Sequence, residues 1–249
     1  MMPRTMCATP PASPATKMFT RILTSALFAG AAAGLIAALL QLVFVQPVLL
    51  HAELYESGAL VHFGGPAVSA QQNLVGFEAV RDGLSIIFTM LTYTGYCLIL
   101  VAAMAVAQTR GAKINARNGI IWGLAGFFIV HLAPGFGLPP EVPGVAAADV
   151  EIRQVWWFAT VITAGIAIWL IAFMRNWMAW GAAVILLLAP QVIGAPEPDV
   201  FTGPVPTEIG ALFAARAFGV GMAAWVLLGL FAGFFWQRET QTENAPQAA

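Results

Sequence analysis

The residues best suited to chemistry form a short cluster, His51-Ala-Glu53-Leu-Tyr55-Glu56, with His62 a few positions further on. Imidazole and carboxylate together suit borderline divalent ions such as cobalt, nickel and zinc. On a helix His51 and Tyr55 share a face, whereas an extended turn aligns His51 with Glu53. A second candidate is His131, which stands ahead of the Pro/Gly-broken segment Pro134–Gly144 carrying Glu141. Irregular backbone at membrane depth is tolerated where it borders protein or water, and its free carbonyls can coordinate cations. With Glu197 added, the candidate metal ligands are His51, Glu53, Glu56, His131, Glu141 and Glu197. Each has a plainer reading: a solvated helix end, or a lip histidine bonded to a neighbouring helix. No HxxxH, CxxC or His-rich tract marks a preformed metal site. Arg81 and Arg153, close in sequence to Glu78, Asp82, Asp149 and Glu151, also compete with any metal for the carboxylates.

The elements that must position these residues are six apolar runs, at roughly 22–46, 84–107, 116–133, 155–173, 177–193 and 212–236. A helix needs about 20 apolar residues to cross a bilayer core, so the runs predict an all-α polytopic membrane bundle. The third run is short and polar at Asn118, and the fifth follows the fourth after only Met174-Arg175-Asn176, so the count is six, or five if one of these does not cross. Placing the N-terminus in the cytoplasm puts Arg4, Lys17, Arg21, Arg110, Lys113, Arg117, Arg175 and Arg238 inside, and only Arg81, Arg153 and Arg216 outside. That is the positive-inside pattern. Ten of the twelve carboxylates and all three histidines then fall on the outer side, a face suited to meeting a cation.

Composition narrows the class further. At 249 residues, 59% hydrophobic and 9% charged, the chain is one membrane domain, spanning 18–238, rather than a soluble core with an anchor. Residues 1–17, rich in Pro, Ala and Thr, read as a disordered tail, as do residues 239–249, and Met18-Phe-Thr-Arg21 reads as a natural start. A cleaved signal peptide is the weaker account, because the first run is too long for a signal core. No basic stripe with interleaved aromatics points to nucleic acid. Cys7 and Cys97 form no CxxC and are placed too differently for a disulfide. There is no G-x-x-x-x-G-K-[ST], no HExxH, no paired axial histidines within spans and no GxS context with a buried His, which leaves no enzyme reading and no tightly bound cofactor. Nothing charged lies near the midplane, which argues against a self-sufficient proton-coupled pump.

Three patterns bear on assembly. The pairs Gly30/Gly34, Gly119/Gly123 and Gly229/Gly233 predict close helix packing. Ser85, Thr89, Thr92, Tyr93 and Tyr96 lie near one face of the second span, either lining a polar path or bonding to neighbouring helices. Pro47, Pro134 and Pro190 are followed by Glu53, Glu141 and Glu197, and an outer arginine stands near the start of each inward helix. This suggests a threefold helical-hairpin repeat with a Pro-broken, acid-bearing outer turn in each unit; prolines and acids collecting at helix ends is the plainer explanation.

Several segments resemble the CbtA family of proposed bacterial cobalt transporter subunits. They are Met18-Phe-Thr-Arg-Ile-Leu, Glu53-Leu-Tyr-Glu56, His131-Leu-Ala-Pro-Gly-Phe-Gly-Leu-Pro-Pro-Glu141-Val-Pro-Gly144, Arg153-Gln-Val-Trp-Trp157 and Ile193-Gly-Ala-Pro-Glu-Pro198. The resemblance runs from about Met18 to Arg238. It implies a multi-pass inner-membrane protein linked to cobalamin-related cobalt uptake, acting beside a small single-span, histidine-bearing partner, CbtB. The family is described with five spans against the six runs counted here. The resulting expectation is a subunit that captures Co²⁺ at the outer face as its transported ion. The alternative is a scaffold or assembly subunit whose partner holds the metal.

Overall fold

The computed structural model describes residues 13–66, 68–74 and 76–244. Among them the regular structure is all helical, with no strand: α1 (Pro14–Leu40), α2 (Gln46–Glu56), α3 (Ala79–Thr109), α4 (Ala116–Phe127), α5 (Ala133–Gly135), α6 (Val150–Phe173), α7 (Trp177–Ile193) and α8 (Thr207–Asn244). Single π-helical turns, Gln41–Val45 and Phe128–Leu132, join α1 to α2 and α4 to α5. Five continuous helices are long and apolar enough to cross a membrane, and the third run is one of them, at 20 residues from Ala116 to Gly135. The fifth run, Trp177–Ile193, is the shorter helix, 17 residues or about 25 Å. It nevertheless returns the chain to the end from which α6 started, so the six runs follow an up-and-down path. One end of the bundle carries the 110–117 and 174–176 links and can be called the basic end. The other carries the long loops and the carboxylates, and is the acidic end.

Helix extends beyond the boundaries read at residues 18 and 238. Helix α1 starts at Pro14, where proline at the first position and a Ser13 cap accepting from the Thr16 N–H favour initiation. Helix α8 runs on to Asn244, past the expected boundary at 238. Residues 1–12, with Cys7, and 245–249 lie outside the described residues; Cys97 is a buried free thiol.

Four helices make the core. Helix α1 packs between α3 and α8, and α8 packs between α1 and α4. The shared interior is built from alanines of α1 (Ala26, Ala29, Ala33, Ala37) against Cys97, Val101 and Met104 of α3 and Ala224, Trp225, Leu228 and Trp236 of α8. Glycines set the spacing. A Cβ at Gly30 or Gly34 would strike the backbone of Thr94 or Met90, which draws the first and second spans together. Gly119 and Gly229 face each other so closely that a Cβ on either would land on the other's carbonyl oxygen. Gly123 meets the Trp225 carbonyl in the same way, and Gly233 that of Asn115. All three glycine pairs are therefore used inside one chain.

The packing does not follow a hairpin repeat. The fourth and fifth spans pair with each other, and α6 meets the core chiefly at the second π turn and α5, while α7 and α8 do not pack along their lengths. Nor do the prolines break their helices. Proline lacks an N–H and its ring clashes with the carbonyl four residues back. The chain absorbs Pro47 and Pro134 by widening the preceding turn to i−5 register, with Gln46 N–H donating to the Gln41 carbonyl and Ala133 N–H to that of Phe128. Pro190 lies inside α7, three residues before its end. At each proline a neighbouring helix donates to a backbone carbonyl: Arg216 Nη1 to Phe44 at 3.0 Å, Gln191 Nε2 to Ala133 at 2.9 Å and Trp156 Nε1 to Pro190 at 3.3 Å. What recurs is a hydrogen-bonded proline turn.

Tryptophan depth is also only partly interfacial. Trp177 and Trp180 are exposed near the basic end, as a lipid-facing belt requires. Trp236 is 1% exposed, donates to Gln108 Oε1 at 3.0 Å and lies under Arg21, so it belongs to the interior.

Candidate functional site

The acidic end is shaped by a small second core, Ala52, Tyr55, Val142 and Val205, with Leu60, Val145, Ile209 and Phe213 packed around it. It gathers the end of α2, the two loops after α5 and α7, and the start of α8. Ala146 N–H donates to the Thr202 carbonyl at 2.8 Å, joining the two loops. Because α2 continues the first span as helix, His51 and Tyr55 do share a face, their ring centroids 5.7 Å apart. Glu53 and Glu56 are exposed on the other faces of that turn, and Glu56 lies against Gly144.

On the histidine face is a cavity of about 670 Å³, lined by His51, Tyr55, His62, Ser69 and Glu208 among small and apolar residues. His51 Nε2 is buried with no hydrogen-bond partner among the described residues. His62 approaches from the 57–78 loop, its ring 4.5 Å from that of Phe63. Glu208 comes from the first turn of α8, where a carboxylate is favoured by the helix dipole. Two imidazoles and a carboxylate thus line a common space. Glu208 was not among the sequence candidates; its only local signal is a carboxylate beside a helix start, and over 150 residues separate it from His51.

The remaining candidates are dispersed. His131 lies in the second π turn, boxed by Phe127, Trp225 and Tyr96 at centroid distances of 5.9, 6.0 and 6.3 Å, its Nε2 unpartnered. Glu141 does not reach it, and instead binds Arg153 at 2.8 Å. Glu197 is exposed in the loop after α7. No group of three His, Cys, Asp or Glu among the described residues converges at metal-binding distance. The six candidates therefore do not form one centre here, because the helical continuation of the first span points Glu53 and Glu56 away from His51, and Arg153 holds Glu141.

Among the described residues Asp82 is the buried acid, 2% exposed at the start of α3. Its carboxylate accepts from Gln46 Nε2 and Arg81 Nε, both at 2.7 Å, and from the Glu78 N–H at 2.8 Å. Thr89 Oγ1 donates to Gln41 Oε1 at 3.0 Å, while Thr92 and Thr94 bond back to their own helix. Within the polar stripe of the second span, Thr89 thus serves the joint between the first two spans, while Tyr96 turns to His131 and Trp225. Asp82→Ala is expected to lower the thermal midpoint in detergent, followed by tryptophan fluorescence, well beyond Glu141→Gln. Asp82→Asn should recover part of the loss, since its carbonyl oxygen still accepts. The contrast follows from burial: a buried acceptor leaves stranded donors when removed, whereas a solvated pair contributes little.

No curated protein and no solved structure matches the chain. A family model does, over residues 19–237, and its description is "Probable cobalt transporter subunit (CbtA)". With long apolar helices throughout and that match over nearly its whole length, the chain is a membrane protein that belongs to the CbtA family, described as probable cobalt transporter subunits.

Proposed function

We propose that this subunit captures a divalent cation, Co²⁺ in the family's setting, at its acidic end, and passes it toward the basic end within a complex. The observation that carries the proposal is the cavity shared by His51, His62 and Glu208, with a buried imidazole nitrogen left without a partner. Mixed nitrogen and oxygen donors suit a borderline ion, and a cavity of about 670 Å³ has room for retained waters. Glu53, Glu56, Glu141 and Glu197 surround that end as a field of carboxylates that raises local cation concentration. His131 stands deeper, in an aromatic box beyond the cavity, as a candidate second contact for an ion already stripped of part of its hydration. Basic loops at the opposite end support an orientation with the N-terminus in the cytoplasm and the acidic end outside the inner membrane. The word subunit in the family description supports a partner, which we take to be a small single-span, CbtB-like protein. Membrane potential is worth about 2.3 kcal/mol per charge per 100 mV, twice that for a divalent ion, and favours inward movement.

A scaffold role is the second reading, favoured by Glu141 and Asp82 being held by arginines. Uptake of radioactive cobalt, in cells lacking other importers and expressing this chain with and without the partner, separates the two. Capture predicts that His51→Ala with Glu208→Gln lowers initial uptake by about tenfold or more, with the protein still in the membrane. A scaffold would tolerate that pair, and also His131→Ala and Glu141→Gln, with no loss.

A further inference from the structure

The second large cavity is of a different kind. It is a groove of about 710 Å³ between the four-helix core and the fourth span, open to the surrounding lipid side and almost wholly apolar. Its walls run from Asn118 to Val130 on the third span and from Val161 to Phe173 on the fourth, about 18 Å along either helix. One mouth is at the basic end, where Lys113 is the only charged residue in the lining. Arg110 is adjacent, its guanidinium 5.5 Å from the ring of Trp169, a groove wall residue. The other end closes on Tyr96 and Trp225, two sides of the box around His131.

We propose that this groove is a binding site for one anionic phospholipid of the leaflet at the basic end, its acyl chain filling the space between core and hairpin and its phosphate held by Lys113 and Arg110. Three observations converge on that occupant. The groove's length matches one leaflet, since half of a hydrocarbon core is about 15 Å. Its lining along that length is almost wholly apolar, as an acyl chain requires. Its polar end is cationic, and basic pockets between helices are where anionic headgroups are recognised. The site also answers a packing question. Below the second π turn the hairpin of the fourth and fifth spans has little protein to rest on, and Arg110 over Trp169 bridges the open side.

The test is native mass spectrometry of the full chain in mild detergent, offered phosphatidylglycerol and phosphatidylcholine in equal amount. Wild type should retain phosphatidylglycerol preferentially. Lys113→Gln should reduce that preference by about fivefold, the factor contributed by one basic residue at an anionic surface. Gly165→Leu should abolish retention of either lipid by filling the groove. That variant keeps the fold, because a Cβ at Gly165 meets only Ile129 Cγ2 at 3.9 Å. Gly181→Leu, on the fifth span where a Cβ meets nothing within 4 Å, should retain lipid like wild type. Equal retention of the two lipids, no retained lipid, unchanged retention in Lys113→Gln and Gly165→Leu, or a co-purifying protein displaced by Gly165→Leu would each overturn the proposal.

Discussion

Gly229→Leu is expected to remove the folded protein from detergent extracts, whereas Gly95→Leu is expected to leave it intact. Both glycines lie in the middle of long helices, so propensity alone would make either change favourable by about 1 kcal/mol. Their surroundings reverse the sign at one of them. A side chain at Gly229 would overlap the Gly119 carbonyl and the Gly123 backbone, and none of these atoms can move without parting the third and sixth spans. Overpacking that strikes rigid neighbours costs at least about 3 kcal/mol, the top of the usual range. At Gly95 a Cβ meets nothing within 4 Å. The comparison is read as the monomer fraction on size exclusion after heating. Equal survival of the two variants would mean that the third and sixth spans do not meet through these glycines.

The second large effect concerns the metal. In the purified protein, His51→Ala combined with His62→Ala is expected to weaken Co²⁺ binding by about 100-fold, measured by titration calorimetry or by the ligand-field absorption of bound cobalt. Loss of groups that merely support a metal ligand costs 10–100-fold, so loss of two imidazoles reaches at least the upper figure. The thermal midpoint should hardly move, because His51 Nε2 has no hydrogen bond to lose and His62 is exposed. His131→Ala makes the informative comparison. It should leave this binding intact and lower stability instead, since it empties a box of three aromatic rings. Unchanged cobalt affinity in the double variant would end the case for the cavity as the capture site and leave the scaffold reading standing.

Much of this architecture is legible from local pattern. Apolar runs locate the helices, charge asymmetry assigns the two ends, and glycine pairs four apart mark where backbones approach. Each of those signals is contained within one helix. The partners are not. That Gly119 and Gly123 meet the Gly229 region, that Arg153 binds Glu141, and that Glu208 joins His51 are facts of packing between distant segments. The prolines misled for a related reason. Pro47 and Pro134 do carry the signature of a broken helix, but the chain has a second solution, a widened turn, whose carbonyls are served by Arg216 and Gln191 from other spans. The six candidate ligands are read along the chain, whereas which of them share a space is decided by packing across it.

The place of α8 in the bundle has a consequence for how the protein is made. Helix α8, synthesised after the other seven described helices, packs against both the first and the third spans. At 5–20 residues per second, roughly 4–14 s separate the completion of α5 at Gly135 from the appearance of α8 at Thr207. During that interval the glycine face of the third span waits without its mate, and the first two spans form a pair with one side open. The centre therefore closes only once α8 has emerged, and a stop codon anywhere before residue 207 leaves two unfilled seams for quality-control proteases to find.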